Sequence, residues 1–435
     1  MSGYCGVDLE EMVRAFVQGH GAMKQRDAEW YASMGKTIGG SEMAAILGLN
    51  PYSTFYDVVL SKAVALGGGS RWDAGSEACW WGVLFEDIIC AFVALDLGGD
   101  IEGAEICIRE IAGHRNSPDG FIVASFYYSD DGALCLWTTD MDPALAAVRN
   151  VLLLEFKCPI SRKPTLAVPK HYKPQLWSGL MVAPIAHQGL FVDAVFRKCG
   201  IADLGDSPDY DTEYHFRDRG HPLWGYPVAW GLVAVYAPLL DAPRHVRYGW
   251  RGPEWAPGDP VSDGLDADAA LAAWEVHSLY FGLRLKAQGQ TRDLADLGDM
   301  GAPLFRRALG LINQKKFLTR ATGPCFADGR GLDLHSGAAV GAAVHGLTAS
   351  PPEHYWTLGL LPWKLFEVDY VFVSRRPGFA EEVLPLMDNV HRLAAEAASS
   401  GDPAAYLNRV RPPPPAGKSS IICEADILDL FETIT

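Results

Sequence analysis

A mixed α/β layer fold, with helices before and after a central set of strands, is what the sequence predicts, and three observations predict it. Apolar residues recur at helical spacing over roughly residues 80–97, where Trp81, Leu84, Phe85, Ile88 and Phe92 share a stripe. From about residue 105 the period changes: ICIREIAG, FIVASFYY, VLLLEFKCPI and HQGLFVDAVFR read as strands, with turn signals at SPDG and SDDG. Helical character returns in HYKPQLWSGLMV, within the strand set, and around Glu381–Ala397, after a last strand at LFEVDYVFV (365–373).

In chain order, residues 1–35 read as helical, with Met12, Val13 and Phe16 on one apolar side. SEMAAILGL reads as a short helix with Ser41 as N-cap, stopped by Gly48 and Asn50-Pro51. Residues 66–79 are a Gly-rich loop. VLLLEFKCP is a continuous apolar run, as expected of a strand buried on both faces. Pro174 falls in the first turn of the following helix, where proline is tolerated. Residues 200–350 are rich in Gly, Pro, Asp and Trp and read as an insertion or second lobe, with a helix near Asp268–Lys286. RPPPPAG (411–417) reads as a stiff linker. Beyond it Ile427, Leu430, Phe431 and Ile434 give an acidic amphipathic tail. The resulting division is 1–200 for N-terminal helices and core, 201–350 for the insertion, 351–410 for a strand and helix completing the core, and 411–435 for linker and tail.

Composition narrows the class. Of the 435 residues 49% are hydrophobic and 21% charged, which excludes wholesale disorder, collagen and coiled coil. No apolar run is long enough for a membrane span, and MSGYCGVDLEEMVRAF lacks the basic-then-apolar order of a secretory signal. Nine scattered cysteines without CxxC suit free thiols of a reducing compartment, so an intracellular protein is expected. The net charge of −16 argues against a generic nucleic-acid coat, yet residues 151–200 carry +5 and the remainder −21. Such a basic island marks a place where a polyanion can meet the chain; a solvated charged loop is the plain alternative.

One constellation carries chemistry. Glu155 and Lys157 are two apart in the buried strand, so both point to one face and Phe156 to the other. Buried charges of this kind must be paired or bound to metal, and a simple ion pair at the strand end is the plain reading. Asp119 sits in the SPDG turn, where aspartate is common. Glu86 lies on a helix apolar nearly all round, beside Asp87, and a boundary position would explain it too. Together, two or three carboxylates and a lysine can hold Mg²⁺, which keeps several waters and needs few protein ligands. Such ions stabilise charge on a phosphodiester and activate an attacking water.

The ordered blocks GGSEMAAILGLNPY (39–52), WGVLFE (81–86), SPDG (117–120), LLEFKCP (153–159) and HYKPQLWSGL (171–180) resemble the YqaJ-type viral recombinase nucleases. That group includes bacteriophage lambda exonuclease, is related to alkaline exonucleases of large DNA viruses, and belongs to the PD-(D/E)xK superfamily. The resemblance covers about 36–198, with a weaker likeness over 355–410. It implies a restriction-endonuclease-like α/β core, a central mixed sheet flanked by helices, here with a large insertion. It implies Mg²⁺ (or Mn²⁺) held by Asp119, Glu155 and Glu86, with Lys157 as catalytic lysine and Gln175 orienting water or the lysine. Tyr172 and Gln175 match the family's Y-x-x-Q motif, and their spacing puts both on one helix face. Ser41 and Lys36 are the candidate phosphate contacts on this likeness; Met34 or Lys36 stands where the family's phosphate-binding arginine is sought. Lys163, Lys170 and Lys173, from the basic island, would flank the site and meet DNA.

The implied activity is a 5′→3′ exonuclease on linear double-stranded DNA, leaving 3′ overhangs for recombination or replication of a viral genome, in the cytoplasm or nucleus of the host cell. An endonuclease, an RNA-degrading relative and an inactive DNA-binding or scaffold protein are the alternatives. A ring-shaped homotrimer is implied, unless the insertion blocks it, and the acidic tail is a candidate ligand for a single-strand annealing or single-strand-binding protein. Twelve histidines without tight Cys/His spacing give no zinc signature, and LGGGS lacks the ending of a phosphate-binding loop.

Overall fold

The computed structural model describes residues 8–23, 28–69, 77–104, 106–159, 164–199, 204, 227–238, 275–279, 282–287, 290–293, 318–349, 351–353 and 355–410. The Pro-rich linker, the acidic tail and Lys163 lie outside the described residues.

The chain opens with α1 (Leu9–His20), whose N-cap Asp8 accepts from Glu11 N at 3.1 Å. Next come α2 (Ala28–Ser33), β1 (Ile38–Gly39), a 3₁₀ turn at Gly40–Glu42 and the single-turn α3 (Met43–Ile46). Helix α4 (Phe55–Leu66) starts from a capping box: Thr54 and Asp57 each accept from the other's backbone N–H. Helix α5 (Glu77–Leu97) is long and apolar. Then come β2 (His114–Arg115), β3 (Gly120–Tyr128), β4 (Leu134–Leu136), β5 (Val148–Lys157), α6 (Lys173–Val182) and β6 (Gln188–Lys198). The remainder is β7 (Ala229–Pro238), β8 (Glu275–Leu279), β9 (Gly282–Ala287), β10 (Gln290–Asp293), β11 (Leu318–Ala321), β12 (Cys325–Phe326), α7 (Gly337–Thr348), β13 (Tyr355–Val373), α8 (Phe379–Ser399) and α9 (Pro403–Val410).

The expected class is the one observed: a mixed sheet of order β11-β7-β13-β6-β5-β3-β4, with β12 also on β7, flanked by helices. Among the described strands of this sheet only β5 and β6 run parallel, joined through α6; the other pairs are antiparallel. A parallel connection needs a crossover, and α6 supplies it. Strand alternation divides the core. Val151 and Leu153 pack with α4, α6 and α8 on one face; Leu152, Leu154 and Phe156 pack with α5 on the other. Glu155 and Lys157 therefore continue the α6 face at the end of β5. At the end of α6, the backbone carbonyls of Leu180, Ala183 and Ala186 accept from the guanidinium of Arg375, which satisfies acceptors that the helix end leaves open.

Several expectations are corrected. Ser41 is not a helix N-cap: it is exposed in the middle of the 3₁₀ turn, which Gly39 precedes, and α3 is one turn long. ICIREIAG makes no strand; Ile108 forms one isolated bridge, to Asn116. The helix expected near Asp268–Lys286 is replaced, over its described part, by strands β8 and β9 of a separate three-stranded sheet. Leu283 and Leu285 alternate with Arg284 and Lys286 there, a period of two that fits a strand. The last strand is nineteen residues rather than nine, because β13 pairs along β6 with its C-terminal half and along β7 with its N-terminal half. Part of the 201–350 segment is thus integral to the main sheet, through β7, β11 and β12. No helix among the described residues is long and apolar enough to cross a membrane.

Candidate active site

The SPDG turn delivers Asp119 to the end of β5. Its backbone N–H donates to Leu154 O at 3.2 Å, and its Oδ2 accepts from Phe156 N at 2.5 Å. The turn requires its glycine: Gly120 has φ +150°, and a Cβ there would stand 2.4 Å from Ile101 Cγ2. On the α6 face Lys157 Nζ donates to Glu155 Oε1. Glu155 is only 3% exposed and Lys157 23%, so the carboxylate is buried while the ammonium reaches the rim.

The charges act on one another. Burial raises the pKa of Glu155, and the Glu86 charge adds to this, while Lys157 opposes both. Lys157 itself is drawn down by burial, but Glu155, Asp119 and Tyr172 more than reverse this, and it binds its proton more tightly than an ordinary lysine. Burial, with the charges of Asp87, Asp119 and Glu86, pushes the Cys90 thiol up to about 11. The structure thus brings Asp119, Glu155 and Lys157 together at the end of β5, while Glu86 acts on Glu155 through its charge from α5.

Helix α6 covers this end. Tyr172, at its N-cap position, lies under Lys157, whose Nζ stands 5.1 Å from the ring centroid. Gln175 is half-buried in the first turn of the same helix. Lys173 is half-buried and Lys170 exposed just before it. Lys36 is exposed beyond α2, its backbone N–H donating to Ser33 O at 2.9 Å.

Oxygen donors from Asp119 and Glu155 suit a hard cation such as Mg²⁺ or Mn²⁺. Among the described residues no group of three His, Cys, Asp or Glu side chains converges on one ion position. The donor set is the carboxylate pair of Asp119 and Glu155, which fits an ion that keeps most of its waters.

Sequence reasoning missed a buried polar network that joins the 38–42 segment, β2 and α6. Lys62, 2% exposed on α4, donates to Glu42 Oε2 at 2.6 Å, and Glu42 Oε2 also accepts from Gly39 N at 2.7 Å. Burial lowers the pKa of Lys62 and Glu42 opposes this. Arg115 is buried over the Trp30 ring, 4.8 Å from its centroid, and donates to Thr37 Oγ1 at 2.5 Å. His114 Nδ1 donates to Ile38 O at 2.8 Å, since that carbonyl can only accept. Its Nε2 then accepts from Ser178 Oγ at 3.0 Å, and Ser178 Oγ accepts from Asn116 Nδ2 at 3.0 Å. This chain ties the 38–42 segment to α6 and to the SPDG turn. The legible signals were a lone lysine in the apolar run FYDVVLSKAVAL and the polar pair Arg115-Asn116 before SPDG.

Burial holds the His114 pKa down at about 4, against an ordinary value near 6.5. A depressed value gives stability that is full above 6.5 and is lost as pH falls through about 4. Urea titrations are expected to show a loss of roughly 3 kcal/mol over that window that is absent in His114→Asn. An unchanged pH slope in the variant would refute the assignment.

A mixed sheet flanked by helices, with a carboxylate pair and a lysine at the end of a central strand, is the arrangement implied by the nuclease resemblance. Residues 29–186, which hold all five sequence blocks, match the family model of the YqaJ-like viral recombinase domain. Two African swine fever virus proteins are each 32% identical to the chain, from the Vero-adapted Badajoz strain over 231 residues and from a Malawi tick isolate over 239 residues. In both cases the match covers 52% of this chain, and the chain spans 64% of the relative's length. Among solved structures, an alkaline exonuclease from Laribacter hongkongensis matches with a TM-score of 0.27 and 18% identity, over 39% of this chain and 74% of that one. The same exonuclease in complex with dAMP matches with a TM-score of 0.27 and 17% identity, over 38% and 73%.

Proposed function

We propose that the chain is a metal-dependent deoxyribonuclease, a 5′→3′ exonuclease on linear double-stranded DNA that leaves 3′ overhangs for recombination or replication of a viral genome. The observation that carries this reading is the meeting of Asp119, Glu155 and Lys157 at the end of β5, within the segment that matches a viral recombinase domain. Asp119 and Glu155 would hold Mg²⁺ or Mn²⁺, with Glu86 adding negative charge from α5. The bound ion would supply Lewis-acid stabilisation of the phosphodiester and a more acidic water.

The protein's own groups do the rest. Lys157, holding its proton tightly, acts as a charged donor: it orients water and stabilises negative charge on the phosphoryl oxygens. It would become a base only when Glu155 no longer neutralises it. Tyr172 fixes the ammonium from below, and Gln175 extends the polar rim. Lys170 and Lys173 offer phosphate contacts that weaken with salt. Exposed Ser41 and Lys36 are proposed to meet the terminal phosphate.

The test is digestion of a linear duplex labelled separately at each 5′ and 3′ end. Early release of the 5′ label with Mg²⁺, lost with EDTA and in Asp119→Asn, is expected. Thermal stabilisation by Mn²⁺ in wild type but not in Asp119→Asn checks the metal site without turnover. Cutting of circles or RNA at equal rate would favour the endonuclease or RNA-degrading alternative, and inactivity on every substrate the scaffold.

A further inference from the structure

We infer that Tyr52 and His171 form a stacking platform for an unpaired nucleobase at the mouth of the candidate active site, a proposal that rests on the nuclease reading above. Tyr52 is 88% exposed, more than any other large hydrophobic side chain described. An aromatic ring so open to water has most of its apolar surface uncovered. It is nevertheless held in place. Pro51 restricts the backbone before it, and the Tyr52 N–H donates to Asn50 Oδ1 at 2.8 Å, an Asx turn. The ring stands edge-on to His171, with centroids 6.3 Å apart and planes at 89°.

From there the aromatic path continues inward. His171 lies 4.1 Å from Tyr172, and Tyr172 lies under the ammonium of Lys157. A continuous run of ring contacts therefore leads from solvent to the residue proposed to stabilise the scissile phosphate. A strand whose phosphate meets Lys157 carries its neighbouring bases along this path. The occupant is an unpaired base rather than an internal pair, because within a duplex both faces of an internal base are covered by its neighbours. Stacking is indifferent to base identity, since every base has a π-face. Exposed Lys170, one residue before His171, supplies the positive charge that the adjoining backbone needs.

The experiment uses the full chain in EDTA, so that no cleavage competes, and duplexes with a frayed end carrying 2-aminopurine at one of the three terminal positions of either strand. Wild type is expected to quench the fluorescence of at least one position. Tyr52→Ala is expected to abolish that quench and to weaken binding of the frayed duplex about tenfold, while Tyr52→Trp restores both. Blunt, fully paired duplex is expected to bind wild type and Tyr52→Ala alike. Because Tyr52 lies on the surface, near-UV circular dichroism of the variants should match wild type. Equal quench and equal affinity in Tyr52→Ala, or no quench in wild type, would overturn the platform. Hydrolysis of linear duplex with Mg²⁺ is read separately: its absence in wild type alongside a Tyr52-dependent quench would overturn the nuclease reading and leave the platform standing.

Discussion

Lys157→Ala is expected to lower the rate of duplex hydrolysis by about 10³-fold or more, the range for loss of one preorganised charged donor. The same substitution is expected to change stability in a pH-dependent way, which separates it from a purely catalytic lesion. Glu155 is buried, and Lys157 is the cation that opposes the rise in its pKa. Removing that cation raises the folded-state value further, while the unfolded value stays near 4.5. A raised folded pKa gives stability that is full below the unfolded value and is lost as pH rises through the folded one. The deficit of Lys157→Ala against wild type should therefore be small near pH 4.5 and grow with pH, reaching about 3 kcal/mol, as when a buried pair loses one partner. Glu155→Gln with Lys157→Met, which removes both charges, should recover most of the stability and none of the activity. Urea midpoints across pH check the first claim; a deficit independent of pH would refute the assigned coupling.

Gly40→Ala is expected to destabilise the protein by about 3 kcal/mol or more, although it adds one methyl group. The added Cβ would stand 2.1 Å from Asn116 Nδ2 and 3.2 Å from Ser178 Oγ. Asn116 cannot simply swing away, because it is 4% exposed and donates to Ser178. The cost combines overpacking, about 1–3 kcal/mol, with a disrupted buried hydrogen bond, about 1–3 kcal/mol. Asn116 stands three residues before Asp119, and Ser178 three after Gln175, so activity should fall along with stability. Asn116→Ala in the same chain should return part of the stability by vacating the space, a coupling that a double-mutant cycle measures. Additive losses would show that the two sites do not touch as described.

How much of this was legible in the sequence differs from residue to residue. Glu155 and Lys157 stood out because a buried strand tolerates charge only with compensation, and period-two alternation put them on one face. Asp119 was legible only in company with them. The helical stripe of Trp81, Leu84, Phe85 and Ile88 located α5, whose end at Leu97 is the expected one and whose start lies three residues earlier, at Glu77. Ser41 misled because serine before an apolar run is the usual N-cap signal, whereas the chain here makes a 3₁₀ turn before a helix of a single turn. The stretch after Asp268 misled because a helix was expected across a run that, from Leu283 to Ala287, alternates with a strand's period.

The sequence by itself determined the alternation of core faces, the class of fold and the identity of the charged groups at the end of β5, because these depend on local period and on the cost of burying charge. Only the tertiary structure decided that β7 joins the same sheet as β5 and that β13 runs along both β6 and β7, since strand pairing over more than a hundred residues is set by packing and not by any local pattern. Only it showed that Arg115, Glu42, Lys62, His114, Asn116 and Ser178 belong to one buried polar network, because hydrogen bonds between β1, β2, α4 and α6 exist only once those elements have met.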